Sequence, residues 1–200
     1  MIEEKLDNRQ NSLFKILGAS NHSKEEREEN DYYATDPSAT EMLLELEPKL
    51  QNVLEPCCGG GHISEVLKYK GINVKSSDLV DRGYGEPGVN FITGYDFWDG
   101  DIVTNPPYKY AARFVEHSLS IIPDGRKVVM FLKIQFLESV GRRQLFKDSP
   151  PKIVYVSSSR IKCARGGDFE KYSKDSSAAF YAWYVWEKGF KGDPIIKWFN

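Results

Sequence analysis

Four consecutive residues, Asn105-Pro106-Pro107-Tyr108, combine a side-chain amide, a stiff backbone and a flat aromatic ring. Each proline fixes its own φ and restricts the residue before it, so the Pro106 carbonyl is held relative to the Asn105 side chain. The Asn105 amide oxygen and the Pro106 carbonyl then form a pair of hydrogen-bond acceptors matched to an NH2 group. An NH2 on an aromatic ring is a poor nucleophile, because its lone pair is delocalised into the ring. Two acceptors facing its hydrogens draw the nitrogen toward tetrahedral geometry and aim the lone pair at an electrophile. Tyr108 adds a face on which a planar group can stack. Standing alone, such a tetrapeptide also reads as a rigid loop, so its position in the fold decides its meaning.

A second cluster lies upstream, Glu55-Pro56-Cys57-Cys58-Gly59-Gly60-Gly61-His62. Glycines let a backbone turn tightly and come close to a ligand. The spacing excludes two common phosphate binders. Ser64 stands where the dinucleotide fingerprint needs its third glycine, and no Gly-Lys-Ser/Thr follows. A nucleoside without phosphates fits better. Asp78 lies about twenty residues further on, where an acid grips ribose hydroxyls. Cys57 has the look of a nucleophile, but a loop after the first strand is the wrong place for one. Cys57 and Cys58 are expected to pack as small residues, and Cys163 to be incidental.

The elements that must position these clusters are legible in the apolar pattern. Asp36-Pro37 suits an N-cap and first helical position, with Ala39, Met42, Leu43 and Leu46 on one face. Strands are expected at residues 53–54, 72–76, 89–92, 102–103, 128–132 and 153–156. Between them, Ile63, Val66 and Leu67 mark one helix, and Ala111, Phe114, Val115, Ser118 and Ile122 another. Strands alternating with helices predict an α/β fold with a mostly parallel sheet. The catalytic tetrapeptide then follows strand four, and ligand chemistry in open α/β sheets occurs at the carboxyl ends of strands. The aromatic run 178–186 and residues 195–199 are expected to close the sheet as an antiparallel hairpin, with Trp183, Trp186 and Trp198 in its core.

Composition sets the remaining bounds. The chain has 200 residues, 40% hydrophobic and 28% charged, with a net charge of -2. That is one globular domain with a sizeable core, and it carries no global nucleic-acid signature. A flexible arm is expected over residues 1–31 and a single domain over 32–200, without a separate target-recognition domain. Within the arm, Leu13, Phe14, Ile16 and Leu17 could dock as a short helix. No membrane span or signal peptide is apparent and the cysteines are few, so a cytoplasmic protein is expected. His22, His62 and His117 lack ligand spacing, and no metal is expected.

The motifs together resemble the amino-methylating DNA methyltransferases, and most of all the small N6-adenine methyltransferases of phage and prophage genomes. That resemblance implies a class I methyltransferase (Rossmann-like) fold with a seven-stranded sheet, and S-adenosyl-L-methionine as cofactor. It makes Asn105, Pro106, Pro107 and Tyr108 the catalytic tetrapeptide. It assigns Glu55, Pro56, Gly59 and Gly61 to the cofactor's methionine part and Asp78 to its ribose. Asp96 and Phe97 would hold its adenine, while Tyr33 and Thr35 close over its amino-acid end beside Asn105. Transfer of a methyl group to the N6 of an extruded adenine in DNA is the reaction implied.

For the nucleic acid itself, the stretch after strand six offers Arg160, Lys162, Arg165, Lys171 and Tyr172, with Lys109, Arg113 and Lys133 extending a basic patch. A solvated mobile loop is the other reading of that stretch. Sequence specificity would come from this loop or from a partner protein. The tetrapeptide specifies a planar amine and not deoxyribose, so adenine in RNA, the N4 of cytosine and a protein glutamine amide stay open as substrates. A non-catalytic nucleic-acid binding module is the reading of another class.

Overall fold

Tyr33–Thr35 forms a short strand, β1, and Asp36 turns the chain directly into helix α1, Pro37–Leu46. The Asp36 carboxylate accepts hydrogen bonds from the Ser38 backbone N–H at 3.0 Å and the Ser38 hydroxyl at 2.7 Å. Pro37 occupies the first turn, where its missing N–H leaves no gap. A cap of this kind contributes about 1 kcal/mol. The computed structural model describes residues 32–159, 161, 163–167, 169 and 180–199. The arm expected over 1–31 lies outside these, as do Arg160, Lys162, Lys171 and Tyr172. Among the described residues no helix is long and apolar enough to cross a membrane.

The chain then alternates through β2 (Val53–Glu55), α2 (His62–Tyr69), β3 (Val74–Ser76), a helical turn α3 (Phe91–Gly94) and β4 (Ile102–Thr104). It continues through α4 (Ala111–Ile121), β5 (Lys127–Lys133), α5 (Arg143–Asp148) and β6 (Ile153–Ser157). The last three elements are β7 (Cys163–Arg165), β8 (Tyr181–Glu187) and β9 (Ile195–Phe199). β2 and β4 are buried at every position, because helices cover both faces of their sheet.

Seven strands form one sheet in the order β3-β2-β4-β5-β8-β6-β9. All run parallel except β8, which is antiparallel to both β5 and β6. Period-two alternation splits the core into two layers. Val128, Met130 and Leu132 of β5 join Tyr184 and Trp186 of β8 against Phe114 and Val115 of α4. Val129, Phe131, Trp183 and Val185 point the other way, toward Ala39 and Leu43 of α1 and Ile63 and Leu67 of α2. The Trp183 indole N–H donates to the Ala39 carbonyl at 2.9 Å, pinning α1 to the sheet. A second tie comes from Glu47, just past α1, whose buried carboxyl group accepts from Tyr155 at 2.8 Å and pairs with Lys127.

Three expectations are corrected. β8 and β9 run in opposite directions but are not a hairpin, because β6 lies between them. Residues 188–194 are long enough to cross one strand, a span of roughly 10 Å between alternate strands. β9 therefore sits at the sheet edge, and Trp198 is 69% exposed, whereas Trp183 and Trp186 are buried. Residues 89–92 are not a strand, since the Asn90 side chain caps α3 by accepting from the Ile92 N–H at 3.1 Å.

The sheet grows from β2 toward β3 on one side and toward β4 on the other, and Leu54 pairs with Ile102 across the divide. This reversal opens a crevice at the carboxyl ends of β2 and β4, the place where such sheets bind ligands. β1 and β7 pair as a separate antiparallel ribbon, with Thr35 opposite Cys163 and Tyr33 opposite Arg165.

Candidate active site

A cavity of about 460 Å3 fills the crevice, within the range of small-molecule and cofactor sites. Glu55, Pro56 and Cys57 reach it from the end of β2, and Asp78 and Arg82 from the loop after β3. Residues 89–93 close a second side, β1 a third, and Asn105 and Pro107 the end nearest β4.

The glycine loop is shaped by two left-handed residues, Gly59 at φ +52° and Gly61 at φ +86°. Gly61 is the N-cap of α2. A Cβ on Gly59 would lie 2.1 Å from the Tyr32 ring, and one on Gly61 would lie 2.6 Å from Tyr84. The room these glycines create is thus taken by the chain's own aromatic rings, and neither glycine lines the cavity itself. Their backbones still organise it. The Gly59 N–H donates to Asp78 at 2.8 Å, and the Gly60 N–H donates to the Tyr32 hydroxyl at 2.9 Å. Asp78 also accepts from the Val80 N–H at 2.9 Å, so its carboxylate joins the loops after β2 and β3. Each of its oxygens keeps a lone pair for a further donor.

Glu55 is 1% exposed and accepts a hydrogen bond from Ser64, which in turn contacts the Ser76 hydroxyl at 2.5 Å. Burial pushes its carboxyl pKa up to about 8, with the Ser64 hydrogen bonds pulling in the opposite direction. Near neutral pH this group therefore carries its proton on the cavity wall. Burial likewise holds the Cys57 thiol well above its ordinary range and pushes Cys58 up to about 12. A protonated thiol is a weak nucleophile, which agrees with packing roles for both.

At the other end, the Asn105 side-chain N–H groups donate to the Tyr33 carbonyl at 2.8 Å and to the Thr35 hydroxyl at 3.1 Å. A primary amide has two N–H bonds, and both are directed at β1. Its carbonyl oxygen is the atom left to accept from a substrate.

The structure brings together Tyr33, Thr35, Glu55, Pro56, Asp78, Asn105, Pro107, Lys109 and Arg113 on one cavity. Pro106 is buried behind that wall. Tyr108 is not on it. Its ring stacks on Tyr33 with centroids 5.8 Å apart, leans on Tyr181 at 6.1 Å and lies under the Lys133 ammonium at 4.7 Å. The expected open face of Tyr108 is thus covered, because β1 folds back over it. Asp96 and Phe97 are also displaced from their expected place. Both are exposed, Phe97 by 65%, because α3 replaces the strand that would have led to them. Asn90, Phe91 and Ile92 form that wall instead. Arg165 enters through its backbone pairing in β7.

Among the cavity residues outside the expected site are Tyr32, Arg82, His62 and Tyr110. Tyr32 carries the Arg82 guanidinium over its ring at 4.3 Å and lies 3.4 Å from His62 Nδ1. Burial lowers the pKa of His62. The fourth, Tyr110, stands at the start of α4. Two of these had a signal in the chain: His62 closes the glycine cluster, and Tyr110 is an aromatic two residues past the tetrapeptide and off the apolar face of the helix.

No family model matches the chain, and no curated protein sequence matches it. Solved structures do. One is described as a class I S-adenosylmethionine-dependent methyltransferase from Listeria monocytogenes, 14% identical, with a TM-score of 0.58 over 98% of this chain and 72% of that one. A second, described as an RNA methyltransferase from Pyrococcus horikoshii, is 13% identical, with a TM-score of 0.56 over 90% of this chain and 98% of that one. A third is the type IIG restriction endonuclease BpuSI, 13% identical, with a TM-score of 0.57 over 82% of this chain and 26% of that one. The fold is therefore the class I, Rossmann-like methyltransferase fold.

Proposed function

We propose that the chain is an S-adenosylmethionine-dependent N-methyltransferase acting on the exocyclic N6 of adenine in DNA. The observation that carries this reading is Asn105. It stands after β4 on the same cavity as the residues ending β2, with both amide hydrogens bound by β1 and its carbonyl oxygen left over.

The cavity fits the cofactor. Asp78 offers carboxylate lone pairs to a ribose, the end of β2 offers a narrow apolar shelf at Pro56 and Cys57, and the volume suits a nucleoside with an amino-acid tail. Bound there, S-adenosylmethionine supplies a methyl group already activated on a sulfonium. The chain's own part is to position the acceptor. The Asn105 carbonyl oxygen accepts one N6–H and the Pro106 carbonyl accepts the other, localising the nitrogen lone pair toward the cofactor end. The two prolines keep those acceptors from rotating. Catalysis by orientation and fixed dipoles needs no strong base, and the protonated Glu55 and thiols leave the cavity without one at its β2 end. Adenine must leave the duplex to reach this depth. The segment after β6, or a partner protein, supplies sequence preference.

The test is transfer of labelled methyl groups from S-adenosylmethionine to unmethylated genomic DNA, total RNA and a protein extract, comparing wild type with Asn105→Ala. Label recovered as N6-methyladenine in DNA, and lost in the variant, is the expected result. Label in RNA alone keeps the mechanism and replaces the substrate, and label in protein alone overturns the nucleic-acid reading.

A further inference from the structure

We infer that the outer edge of β9 is a self-association surface, on which a second copy of the chain lays its own β9 antiparallel and joins two seven-stranded sheets into one. The inference is independent of the methyl-transfer reading, since β5, β8 and β6 separate β9 from β4.

β9 pairs with β6 on one side, and no described strand pairs with the other. The Ile195 N–H donates to the Lys152 carbonyl at 3.1 Å, and the Phe199 carbonyl accepts from the Ser158 N–H at 3.1 Å. The odd-numbered residues of the strand therefore turn their backbone groups toward β6. Ile196 and Trp198, between them, turn theirs to the open edge. Their side chains are 48% and 69% exposed, and Ile195 is 53% exposed. Edge strands are ordinarily blunted by charge, bulges or proline. Here Pro194 stands just before the strand, and Lys197, its one charge, holds its ammonium 6.0 Å from the Tyr155 ring of its own sheet. A row of open backbone groups flanked by large apolar side chains is a template for another strand.

The edge complements itself about a twofold axis through Ile196. Ile196 then exchanges two hydrogen bonds with its own copy, and the Trp198 N–H meets the carbonyl of the partner's Pro194. Isoleucine packs on isoleucine, and the indole covers the pyrrolidine ring. Asp193 lies diagonal to the partner's Lys197, opposite charges within reach of each other. An axis through Lys197 would set that ammonium against its own copy. An axis through Ile195 would set Trp198 against Gly192, outside the strand. Charge and apolar cover thus agree on one register. With five residues a side the contact falls below the roughly 1,200 Å2 of standard interfaces, so the dimer is concentration-dependent. The axis is perpendicular to the sheet, so the two cavities open at opposite ends and each chain keeps a complete site.

The experiment is sedimentation velocity of the full chain, from micromolar to near-millimolar concentration. It compares wild type with Ile196→Pro, Trp198→Glu and, as a control, Tyr69→Ser, which changes an 86% exposed ring on α2. Wild type is expected to move from monomer to dimer mass as concentration rises. Ile196→Pro removes an outward N–H that the chain's own sheet does not use, and Trp198→Glu replaces the most exposed side chain of the three on the strand. Both are expected to stay monomeric with melting temperatures near wild type, while Tyr69→Ser dimerises as wild type does. The register is read by mild oxidation of Ile196→Cys and Lys197→Cys, with wild type as the blank. Paired Ile196 positions stand about 5.5 Å apart at Cα, a span that a disulfide closes. Ile196→Cys is therefore expected to link two chains and Lys197→Cys not to. A wild type that stays monomeric throughout overturns the inference, as does a dimer that survives both edge variants. Linkage through Lys197→Cys in place of Ile196→Cys overturns the assigned axis.

Discussion

The Asn105 side-chain amide donates to the Tyr33 carbonyl at 2.8 Å, across a separation of 72 residues, so the first strand sets the direction of the acceptor after β4. The second N–H goes to Thr35. Asn105→Asp keeps the shape but removes both donors, leaving a carboxylate against the Tyr33 carbonyl, with only the Thr35 hydroxyl able to turn and donate to it. Methyl transfer is expected to fall to the level of Asn105→Ala. Thr35→Val removes only one bond, worth about 1 kcal/mol, and a loss of several-fold up to about ten-fold is expected. Rates of label incorporation test both, with melting curves to show that the variants fold. An active Asn105→Asp enzyme would remove Asn105 orientation from the mechanism.

Glu55 gives the fold a pH dependence of definite sign. Its carboxyl titrates near the ordinary 4.5 in the unfolded chain and at about 8 when folded. Between those values the folded state holds a proton that unfolding releases, so stability falls as pH rises through the window and levels off above it. The effect is on the order of a few kcal/mol. Glu55→Gln, which mimics the protonated group, is expected to flatten that decline and to be the more stable form at about pH 9. Urea melts at several pH values decide this, and parallel curves for the two proteins would mean that Glu55 ionises normally.

Gly59 and Tyr32 are coupled by contact. Gly59→Ala meets two penalties, a left-handed φ of +52° and a Cβ placed 2.1 Å from the Tyr32 ring. The first amounts to about 1–2 kcal/mol, and the second disappears when Tyr32 is also changed to Ala. The double variant is therefore expected to be less destabilised than the sum of the two single ones, by about 0.5–3 kcal/mol. Additive values in denaturant melts would place the Tyr32 ring away from the loop.

The legibility of this chain follows its physics. Asp36-Pro37, the strand at Val53 and the helix face Phe114-Val115 declared themselves because a cap, a buried run and a 3.6-residue period are local properties. Glu55 and Asn105 reached the crevice because the sheet reverses its order between β2 and β4 and both stand at the carboxyl ends of those strands, with Asp78 following the neighbouring β3. The partner of β9 was not legible. An aromatic run at Tyr181–Glu187 predicts a buried strand, but nothing local says that β6 takes its free edge. The wall at residues 89–93 was hidden because Val89 and Ile92 read as strand while Asn90, as a cap, overrode them. Tyr108 was misplaced for a related reason, since only tertiary structure shows that β1 returns to cover its ring.

Lys109 and Arg113 border the cavity beside Tyr110, and their charge gives the DNA reading a signature that a small-molecule acceptor lacks. Each phosphate contact releases condensed counterions and steepens the fall of log affinity with log salt, by about 0.9 for duplex and about 0.7 for a single strand. Lys109→Ala and Arg113→Ala are each expected to reduce that slope by a little under one and to weaken different DNA sequences alike, because phosphates carry no sequence information. Arg126 supplies the contrast. It pairs with Asp99 at 3.3 Å and is not part of the cavity, so Arg126→Ala is expected to leave the slope as it was. Fluorescence anisotropy with labelled DNA across a salt series reads all three. A slope unchanged by both cavity variants would take the backbone path away from α4 and toward the basic segment after β6.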